Sequence, residues 1–376
     1  MMKKTVIILL FFFAIQAEAQ FSVRLVVIDV STRKSDDIYV SGNFNNWNPK
    51  DENYKLKPFG GSRKGIVIKD LAAGTYAFKF TRGTFEKVES TADGRDISDR
   101  LLEVNTDIVQ EFTVAGWKDD YPERPKTYTA SPQVRIMDTA FKIPQLNRTR
   151  KIWVYLPKGY ATSGKIFPVL YMHDGQNLFN EQTAPYGEWG VDECLDTLQQ
   201  KLGKECIVVG IDNGGNKRMT EYNPYDHAQY GKGEGQQYVD FLANTLKPYI
   251  DTKYRTKKGA ENTFIAGSSM GGLISFYALM QYPNVFGAAG VFSPSFWVSP
   301  EIFATAEKFN TPGTPRFYMY AGKMEPANMV SNNERMADIL QKKQRYSIRK
   351  VTDPLGKHNE KTWRQEFASF YLWLMN

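Results

Sequence analysis

Histidine and cysteine are scarce in this chain of 376 residues, which has three histidines and two cysteines. A structural zinc site needs about four such ligands at suitable spacing, so their scarcity argues against bound zinc. Cys194 and Cys206 could pair in an oxidising compartment, but Cys206 opens a predicted buried strand and could instead be a small core residue. Both interpretations stay open.

The sequence also lacks long apolar runs and clusters of basic residues. The longest apolar run, residues 6–15, falls well short of the roughly twenty residues that span a bilayer. The net charge is +7, from 48 basic and 41 acidic residues, and the basic residues are scattered along the chain. We therefore expect neither a transmembrane helix nor a nucleic-acid partner.

The first 19 residues have the pattern of a secretory signal peptide. Lys3 and Lys4 precede the apolar run, and Ala17-Glu18-Ala19 is a small-x-small cleavage site. We expect cleavage before Gln20, which lowers the net charge to +6 (46 basic minus 40 acidic residues). The predicted mature protein is soluble and exported, either periplasmic or secreted.

Residues 20–115 predict a small β-sandwich of the immunoglobulin-like, antiparallel kind. Short strands are predicted at residues 22–28, 38–41, 65–68, 75–80 and 108–114. The segment contains no histidine, so a binding role is favoured over a catalytic one. Residues 116–131 are rich in charge and proline and predict a linker.

Residues 132–376 predict a second domain of the α/β class. Two antiparallel strands come first, and strands then alternate with helical stretches to the end of the chain. Such alternation is typical of a mostly parallel sheet covered by helices on both faces. Reacting groups in such sheets gather beyond the carboxyl ends of the strands.

The clearest motif is the turn Gly267-Ser268-Ser269-Met270-Gly271, which lies between a predicted strand and a predicted helix. A G-x-S-x-G pattern also arises by chance in glycine-rich loops. The strand before it and the helix after it, however, are the context of a nucleophile elbow. We therefore predict that Ser269 is a nucleophile, with glycines where side chains would collide.

A serine nucleophile of this type needs a histidine and an acid that follow it in the chain. His358 is the single histidine after Ser269 and lies in a predicted loop beyond the last strand. Histidine side chains titrate near neutral pH and suit the role of base. Glu325 is the favoured acid, and Asp353 is the rival, more typical of a turn because Pro354 follows it.

The oxyanion of an acyl-transfer reaction needs two N–H donors. We predict that they come from Met270 and from Gln176, in the loop at residues 171–179. His173 and Asp174 lie in that loop as well. They could be read as metal ligands, but two groups alone favour a bracing role.

The segment Ile38 to Trp47, followed by residues 71–80, resembles the glycogen- and starch-binding type of β-sandwich module. The resemblance implies that Trp47, Lys79 and Phe85 hold sugars, with Phe85 standing where the family more often has Trp. Flat aromatic rings stack on the C–H face of a sugar. The alternative is that Trp47 and Phe85 belong to the core of the sandwich.

The second domain resembles the esterase branch of the α/β-hydrolases that contains feruloyl, acetylxylan and enterochelin-type siderophore esterases. The matching segments are residues 171–179, 188–190, 210–213, 267–272, 293–297 and 357–360, together with Arg218, Glu221 and Tyr222. The resemblance implies a serine ester hydrolase that needs no cofactor. Side chains expected to line its pocket are Trp189, Asn213, Arg218, Glu221, Tyr222 and Trp297.

We therefore expect an exported serine esterase that removes feruloyl or acetyl groups from plant polysaccharide. The main alternative is a siderophore trilactone esterase, since those enzymes also carry an N-terminal β domain. A glycan-binding protein without activity is a further alternative. The expected partner is a carbohydrate ester, and the sequence leaves the oligomeric state open.

Overall fold

The computed structural model describes residues 20–45, 47–122, 125–326 and 328–376. The predicted signal peptide, residues 1–19, lies outside the described residues. The described chain divides into two compact units, one on either side of residues 123–124. No helix among the described residues is both long and apolar enough to cross a membrane.

The N-terminal unit is built from short strands. They are β1 (Gln20–Val30), β2 (Tyr39–Gly42), β3 (Lys57–Pro58), β4 (Lys64–Ala72), β5 (Gly74–Thr81), β6 (Glu89–Ser90), β7 (Arg100–Val104), β8 (Ile108–Val114) and β9 (Gly116–Trp117). They form sheets in the order β3-β4-β1-β8, β2-β5-β7 and β6-β9. The predicted all-antiparallel arrangement is wrong in one place, because β1 and β8 pair in parallel. That pairing joins distant segments and has no local sequence signal.

Trp117 belongs to the core of the N-terminal unit. Its side chain is fully buried, and its strand pairs with β6. Further along, the Thr129 hydroxyl donates to Glu188 and the Ser131 N–H donates to Asp192, both in the second unit. The boundary at residues 123–124 thus falls inside the predicted linker at residues 116–131, whose first residues pack in the N-terminal unit and whose last residues bond to the second. Charge and proline content did not reveal that an apolar indole there requires burial.

The second unit alternates strands and helices. Its strands are β10 (Val134–Ile143), β11 (Arg148–Tyr155), β12 (Val169–His173), β13 (Ile207–Ile211), β14 (Thr263–Ser268), β15 (Ala288–Phe292), β16 (Arg316–Gly322) and β17 (Ser347–Asp353). Its helices are α1 (Val191–Leu202), α2 (Arg218–Glu221), α3 (Gly235–Phe241), α4 (Lys247–Lys253), α5 (Met270–Gln281), α6 (Glu301–Lys308), α7 (Asn328–Gln341) and α8 (Glu360–Leu374). A π-helical turn at Leu242–Leu246 joins α3 to α4.

These strands form one eight-stranded sheet in the order β10-β11-β13-β12-β14-β15-β16-β17. The pairs β10–β11 and β11–β13 are antiparallel, and all later pairs are parallel. Side chains alternate across the sheet, so Ile265 packs into one apolar core and its neighbours Phe264 and Ala266 pack into the other. A mostly parallel sheet buried on both faces confirms the predicted fold class.

Both cysteines are free thiols. Cys206 is buried directly before β13, and burial raises its pKa to about 12. Burial also raises the pKa of Cys194 to about 11. The structure therefore supports core packing for Cys206 and shows no disulfide between the two residues.

Candidate active site

Ser269 occupies the single residue between the end of β14 and the start of α5. Its φ of 58° and ψ of −121° lie in a region that side chains other than glycine rarely adopt. A Cβ on Gly267 would lie 2.8 Å from the backbone carbon of Gly271, and one on Gly272 would lie 2.9 Å from the Phe292 carbonyl oxygen. The glycines therefore permit the sharp turn that holds Ser269 at the edge of the sheet.

The loop after β15 holds this turn in place. The Ser269 N–H donates to the Phe292 carbonyl at 2.9 Å, and the Ser295 N–H donates to the Ser269 carbonyl at 3.1 Å. The two hydroxyl oxygens, Ser269 Oγ and Ser295 Oγ, also lie 3.1 Å apart. Both main-chain groups of the strained residue are thus satisfied, so the elbow is fixed by its neighbours.

His358 and Glu325 form a close pair. His358 Nδ1 lies 2.9 Å from Glu325 Oε2. The other oxygen, Oε1, accepts from the Ser293 hydroxyl at 2.6 Å and from the Gly322 N–H at 2.9 Å. An ionised carboxylate only accepts, so Nδ1 carries the proton and Nε2 is left as the basic nitrogen of the neutral ring.

Asp353, the rival acid, is bonded elsewhere. Its Oδ1 accepts from the Leu355 N–H and its Oδ2 from the Tyr320 hydroxyl, each at 2.9 Å. The first of these bonds closes a turn around Pro354, in line with the turn role that the sequence suggested for Asp353. The structure therefore places Glu325, and not Asp353, beside the imidazole.

The loops after β14, β15, β16 and β17 emerge at the same edge of the sheet, because these strands are parallel neighbours. Within the loop after β15, Ser295 contacts Ser269 while Ser293 contacts Glu325. Among the described residues, the Ser269 hydroxyl bonds to Ser295 and no hydrogen bond joins it to His358. The structure thus gathers the three residues at one edge, with the serine hydroxyl turned to another serine.

The two predicted oxyanion donors lie at the start of α5 and in the loop after β12. Met270 is the first residue of α5, so its N–H has no acceptor within the helix. Gln176 lies in the 3-10 turn Gly175–Asn177 after β12, which pairs with β14. Within the part of the chain that the structure describes, its N–H has no hydrogen-bond partner. A Cβ on Gly271 would lie 3.2 Å from Asp174 Oδ2, which shows how closely the start of α5 approaches the loop after β12.

Asp174 and His173 brace this loop, as predicted for the pair. Arg218 donates two hydrogen bonds to Asp174, of 2.7 and 2.8 Å, and Asn213 Nδ2 donates a third of 2.7 Å. Burial acts to raise the pKa of Asp174, but the Arg218 guanidinium outweighs it and holds the pKa below the ordinary value. Burial lowers the pKa of His173 to about 3, so its ring is neutral at neutral pH.

Three of the predicted pocket residues are buried against protein. Glu221 is fully buried and accepts from Arg148 and Arg150. Tyr222 is also fully buried, and Trp189 is 2% exposed. These three side chains therefore pack against protein partners, and their contact with substrate stays a prediction.

The other three predicted pocket residues differ from one another in exposure. Asn213 and Arg218 both donate hydrogen bonds to Asp174. Arg218 therefore braces the loop rather than presenting its guanidinium to substrate. Trp297 is 49% exposed and lies two residues after Ser295. Its indole is the most exposed of the six predicted pocket side chains.

The three predicted sugar-binding residues lie in the N-terminal unit. The Lys79 ammonium donates to the Ile97 carbonyl at 2.5 Å and lies 3.4 Å from Asp99. Phe85 is 44% exposed, and Trp47 is half-buried with a φ of 56°. Lys79 is thus engaged within the protein, whereas the two rings are partly open to solvent.

Sequence reasoning missed three polar groups at the edge of the sheet. They are Ser293, which bridges Glu325 and the Trp363 indole N–H, Ser295, and Glu360, whose carboxylate accepts from Asn177. The segment 293–297 had been noted as matching a family, but no local pattern separates a bridging serine from an ordinary loop serine. No group of three or more His, Cys, Asp or Glu residues within the described ranges could hold a metal ion.

Residues 143–374 match the family model described as "Putative esterase". A Bacillus subtilis protein called "Uncharacterized protein YbbA" is 29% identical over 182 residues, which are 47% of this chain and 69% of that protein. The "Endo-1,4-beta-xylanase/feruloyl esterase" of Xylanibacter ruminicola is 29% identical over 160 residues, which are 40% of this chain and 20% of that much longer protein.

Many solved structures share the fold, and two of them are an enterobactin esterase and a ferulic acid esterase. The enterobactin esterase FES from Shigella flexneri, solved in the presence of enterobactin, aligns with a TM-score of 0.57 and 17% identity over 90% of this chain and 87% of its own. A ferulic acid esterase aligns with a TM-score of 0.52 and 21% identity over 65% of this chain and 98% of its own.

Proposed function

The chain belongs to the esterase family and is a carboxylic ester hydrolase, and on this premise we propose that Ser269, His358 and Glu325 act together through an acyl-enzyme. The observation that carries the proposal is the pairing of His358 Nδ1 with Glu325 Oε2, at the sheet edge that also holds the strained Ser269. Such an arrangement leaves Nε2 to act as the base for a serine hydroxyl.

In the first step, the Ser269 hydroxyl exchanges its bond to Ser295 for one to His358 Nε2. Nε2 takes the proton while Oγ forms a bond to the ester carbonyl carbon. Negative charge then develops on the carbonyl oxygen, where the N–H groups of Met270 and Gln176 stabilise it. The C–O bond to the alcohol breaks, and the alcohol leaves with the proton from the imidazolium.

In the second step, water replaces the alcohol. His358 Nε2 takes a proton from water as the hydroxide oxygen attacks the acyl carbon, and the same two N–H groups receive the oxyanion. The bond to Ser269 Oγ then breaks, Oγ recovers its proton, and the carboxylic acid is released. Glu325 keeps one ring orientation throughout and stabilises the imidazolium of each step.

For the substrate, we propose a feruloyl or acetyl ester of plant polysaccharide. The matched region of the Xylanibacter ruminicola protein supports this proposal, since that protein is called a xylanase and feruloyl esterase. The half-exposed indole of Trp297, two residues after the Ser295 that contacts Ser269, suits an aromatic acyl group better than a small one. We therefore favour feruloyl over acetyl esters.

A second candidate is a siderophore trilactone. The alignment with enterobactin esterase covers 90% of this chain, about 338 of 376 residues, and residues 124–376 supply 253 at most. The likeness therefore extends into the N-terminal unit, whereas that with the ferulic acid esterase covers 65%. The third candidate, a glycan-binding protein without activity, is disfavoured because serine, acid and histidine are all present.

We also propose export through the signal peptide, with the N-terminal unit binding glycan through Trp47 and Phe85. The support is the pattern of the first 19 residues and the two partly exposed rings. Cell fractionation with and without residues 2–19 tests the export. Equal amounts of both forms outside the cytoplasm would contradict it.

The substrate test compares methyl ferulate, acetylated xylan and a catecholate trilactone, with wild type and Ser269→Ala side by side. We expect wild type to prefer methyl ferulate and Ser269→Ala to lose activity on all three. A preference for the trilactone would favour the second candidate. Equal turnover by both proteins would rule out Ser269 as the nucleophile, and binding of xylan without any turnover would favour the third candidate.

A further inference from the structure

A buried carboxylate links the loop at residues 171–179, here called the oxyanion loop, to helix α8, which follows His358. Glu360 is the first residue of α8, two positions after His358, and is 7% exposed. Its Oε1 accepts from Asn177 Nδ2 at 3.2 Å, across 183 residues of sequence. Asn177 directly follows Gln176, so this bond connects the two segments that supply the base and an oxyanion donor.

Charged groups surround Glu360 from several elements. Asp174 lies in the oxyanion loop, Arg218 in α2 and His358 in the loop before α8, and all three act on the Glu360 carboxyl. Arg364, one turn further along α8, donates instead to Glu188 at 3.0 Å. Burial, with a smaller contribution from Asp174, raises the pKa of Glu360 to about 7, although its own backbone N–H, His358 and Arg218 oppose the rise.

The Asn177 side chain has one unmatched atom. It is 7% exposed, and its Oδ1 is buried without a hydrogen-bond partner. An ionised Glu360 can only accept, so it pairs with Nδ2 and leaves Oδ1 unmatched. A protonated Glu360 gains an O–H that could donate to Oδ1 after the amide turns over. The pair therefore has two hydrogen-bonded arrangements that differ by one proton.

We propose that Glu360 is a positioning residue for ester hydrolysis. Its ionised carboxylate bonds to Asn177 and so fixes the adjacent Gln176 N–H in position relative to His358. A charge-assisted bond from an amide to a carboxylate is stronger than one between neutral groups, so the ionised form fixes the loop more tightly. The negative charge also favours the imidazolium that forms at His358. This inference rests on the proposed serine mechanism, because Gln176 acts as an oxyanion donor only there.

The test is the pH dependence of kcat/KM on p-nitrophenyl acetate, from pH 5.5 to 8.5, for wild type and Glu360→Gln. Gln keeps an acceptor for Asn177 but is neutral at every pH. We expect wild type to exceed the variant about tenfold at pH 8.5, because one oxyanion-hole donor is worth roughly 100-fold or more and is loosened rather than lost. The ratio should fall towards one at pH 5.5, with a midpoint near the pKa of about 7.

Glu366→Gln is the matched control, because Glu366 is also a half-buried carboxyl of α8 with a raised pKa but bonds to Tyr318. Its ratio to wild type should stay near one at every pH. If the Glu360→Gln ratio were constant with pH, Glu360 would be merely structural, and the inference would be wrong. Asn177→Ala approaches the same bond from the other side, so adding Glu360→Gln to it should cause no further loss.

Ser269→Ala separates this inference from the proposed function. Loss of activity in Ser269→Ala together with a flat Glu360→Gln ratio would remove Glu360 alone from the account. Full activity in Ser269→Ala would contradict both. Thermal unfolding of each variant at pH 8.5 shows whether it is folded, and if Glu360→Gln is not, the ratio of wild type to Asn177→Ala decides in its place.

Discussion

The two units of this chain differ in how their predicted functional residues are used. At the edge of the large sheet, Ser269, Glu325 and His358 belong to one set of loops that contact each other through Ser293 and Ser295. In the N-terminal unit, Lys79 forms an ion pair with Asp99, whereas the Phe85 side chain is half-exposed to solvent. One unit has a connected site, and the other has separate side chains.

The difference teaches that residue types alone do not make a site. Both sets of residues came from a sequence pattern with a resemblance beside it. In the second unit Glu325 does contact His358, because parallel strands bring their carboxyl ends to the same edge of the sheet. In the N-terminal unit the one cation of the predicted set is already paired. Substitutions in each unit can therefore strengthen or break this contrast.

The largest effect is expected from Glu325→Gln. The new amide would donate to His358 Nδ1, force the proton onto Nε2 and leave no base for Ser269. We expect kcat to fall by roughly 10⁴-fold with KM little changed. Steady-state kinetics on p-nitrophenyl acetate measure it.

Asp353→Asn is the control for Glu325→Gln. Asparagine can still accept from the Leu355 N–H and close the turn, so we expect activity within about threefold of wild type. If Asp353→Asn had the greater effect, the acid would be misassigned.

Gly267→Ala is expected to damage the elbow. The added Cβ would lie 2.8 Å from the Gly271 backbone, which no side-chain movement can relieve. We expect a loss of about 1–3 kcal/mol in the free energy of unfolding, with activity reduced as well. Urea denaturation followed by circular dichroism measures the loss.

Gly164→Ala is its matched control, because a Cβ there meets no atom within 4 Å. It should be neutral or stabilising by up to about 1 kcal/mol. Equal effects of the two substitutions would mean that Ser269 does not need this close approach of backbone.

Glu360→Gln is expected to change how stability depends on pH. The folded-state pKa of about 7 lies above the ordinary value of 4.5, so the native state binds the proton more tightly than the unfolded chain does. The stability contribution of Glu360 is therefore complete below about pH 4.5 and is lost as the pH rises to about 7. Glutamine has no such loss.

Relative to wild type, Glu360→Gln should gain about 2–3 kcal/mol of unfolding free energy between pH 5 and pH 8.5. Urea denaturation of both proteins at the two pH values measures it. An identical difference at both values would mean that the carboxyl titrates alike in the folded and unfolded chains.

The smallest effects are expected in the N-terminal unit. Lys79→Ala should leave retention on a xylan or starch gel unchanged, because its ammonium is bonded to Ile97 and Asp99. Phe85→Ala should weaken retention by about 1 kcal/mol, because the proposed glycan contact stacks sugar on that ring. Affinity electrophoresis compares the two, and both variants should hydrolyse p-nitrophenyl acetate like wild type. A larger effect for Lys79→Ala would mean that the ion pair opens to bind glycan.

Much of the second unit could be predicted because its signals are local. The strand, turn and helix around Ser269 lie within a few residues, and the order of serine, acid and histidine limits the choice to one histidine. The parallel pairing of β1 with β8 could not be predicted, because its partners are some 85 residues apart in positions such as Val23 and Ile108.

The partners of the predicted pocket residues could not be read from the sequence for a related reason. Glu221 looked like a loop residue open to substrate, but Arg148 and Arg150 on β11, some 70 residues earlier, take its carboxylate. Glu360 was overlooked because its partner Asn177 is even further away. Sequence patterns show which residues share a local element, whereas charge pairing across elements depends on the folded packing.

The most direct test of the central claim is covalent labelling of the active serine. The full-length protein is treated with a fluorophosphonate, digested and mapped by mass spectrometry, with Ser269→Ala alongside. We predict one label on Ser269, with activity lost in proportion to labelling, and no label in the variant. Labelling of another residue with the same loss of activity would contradict the account.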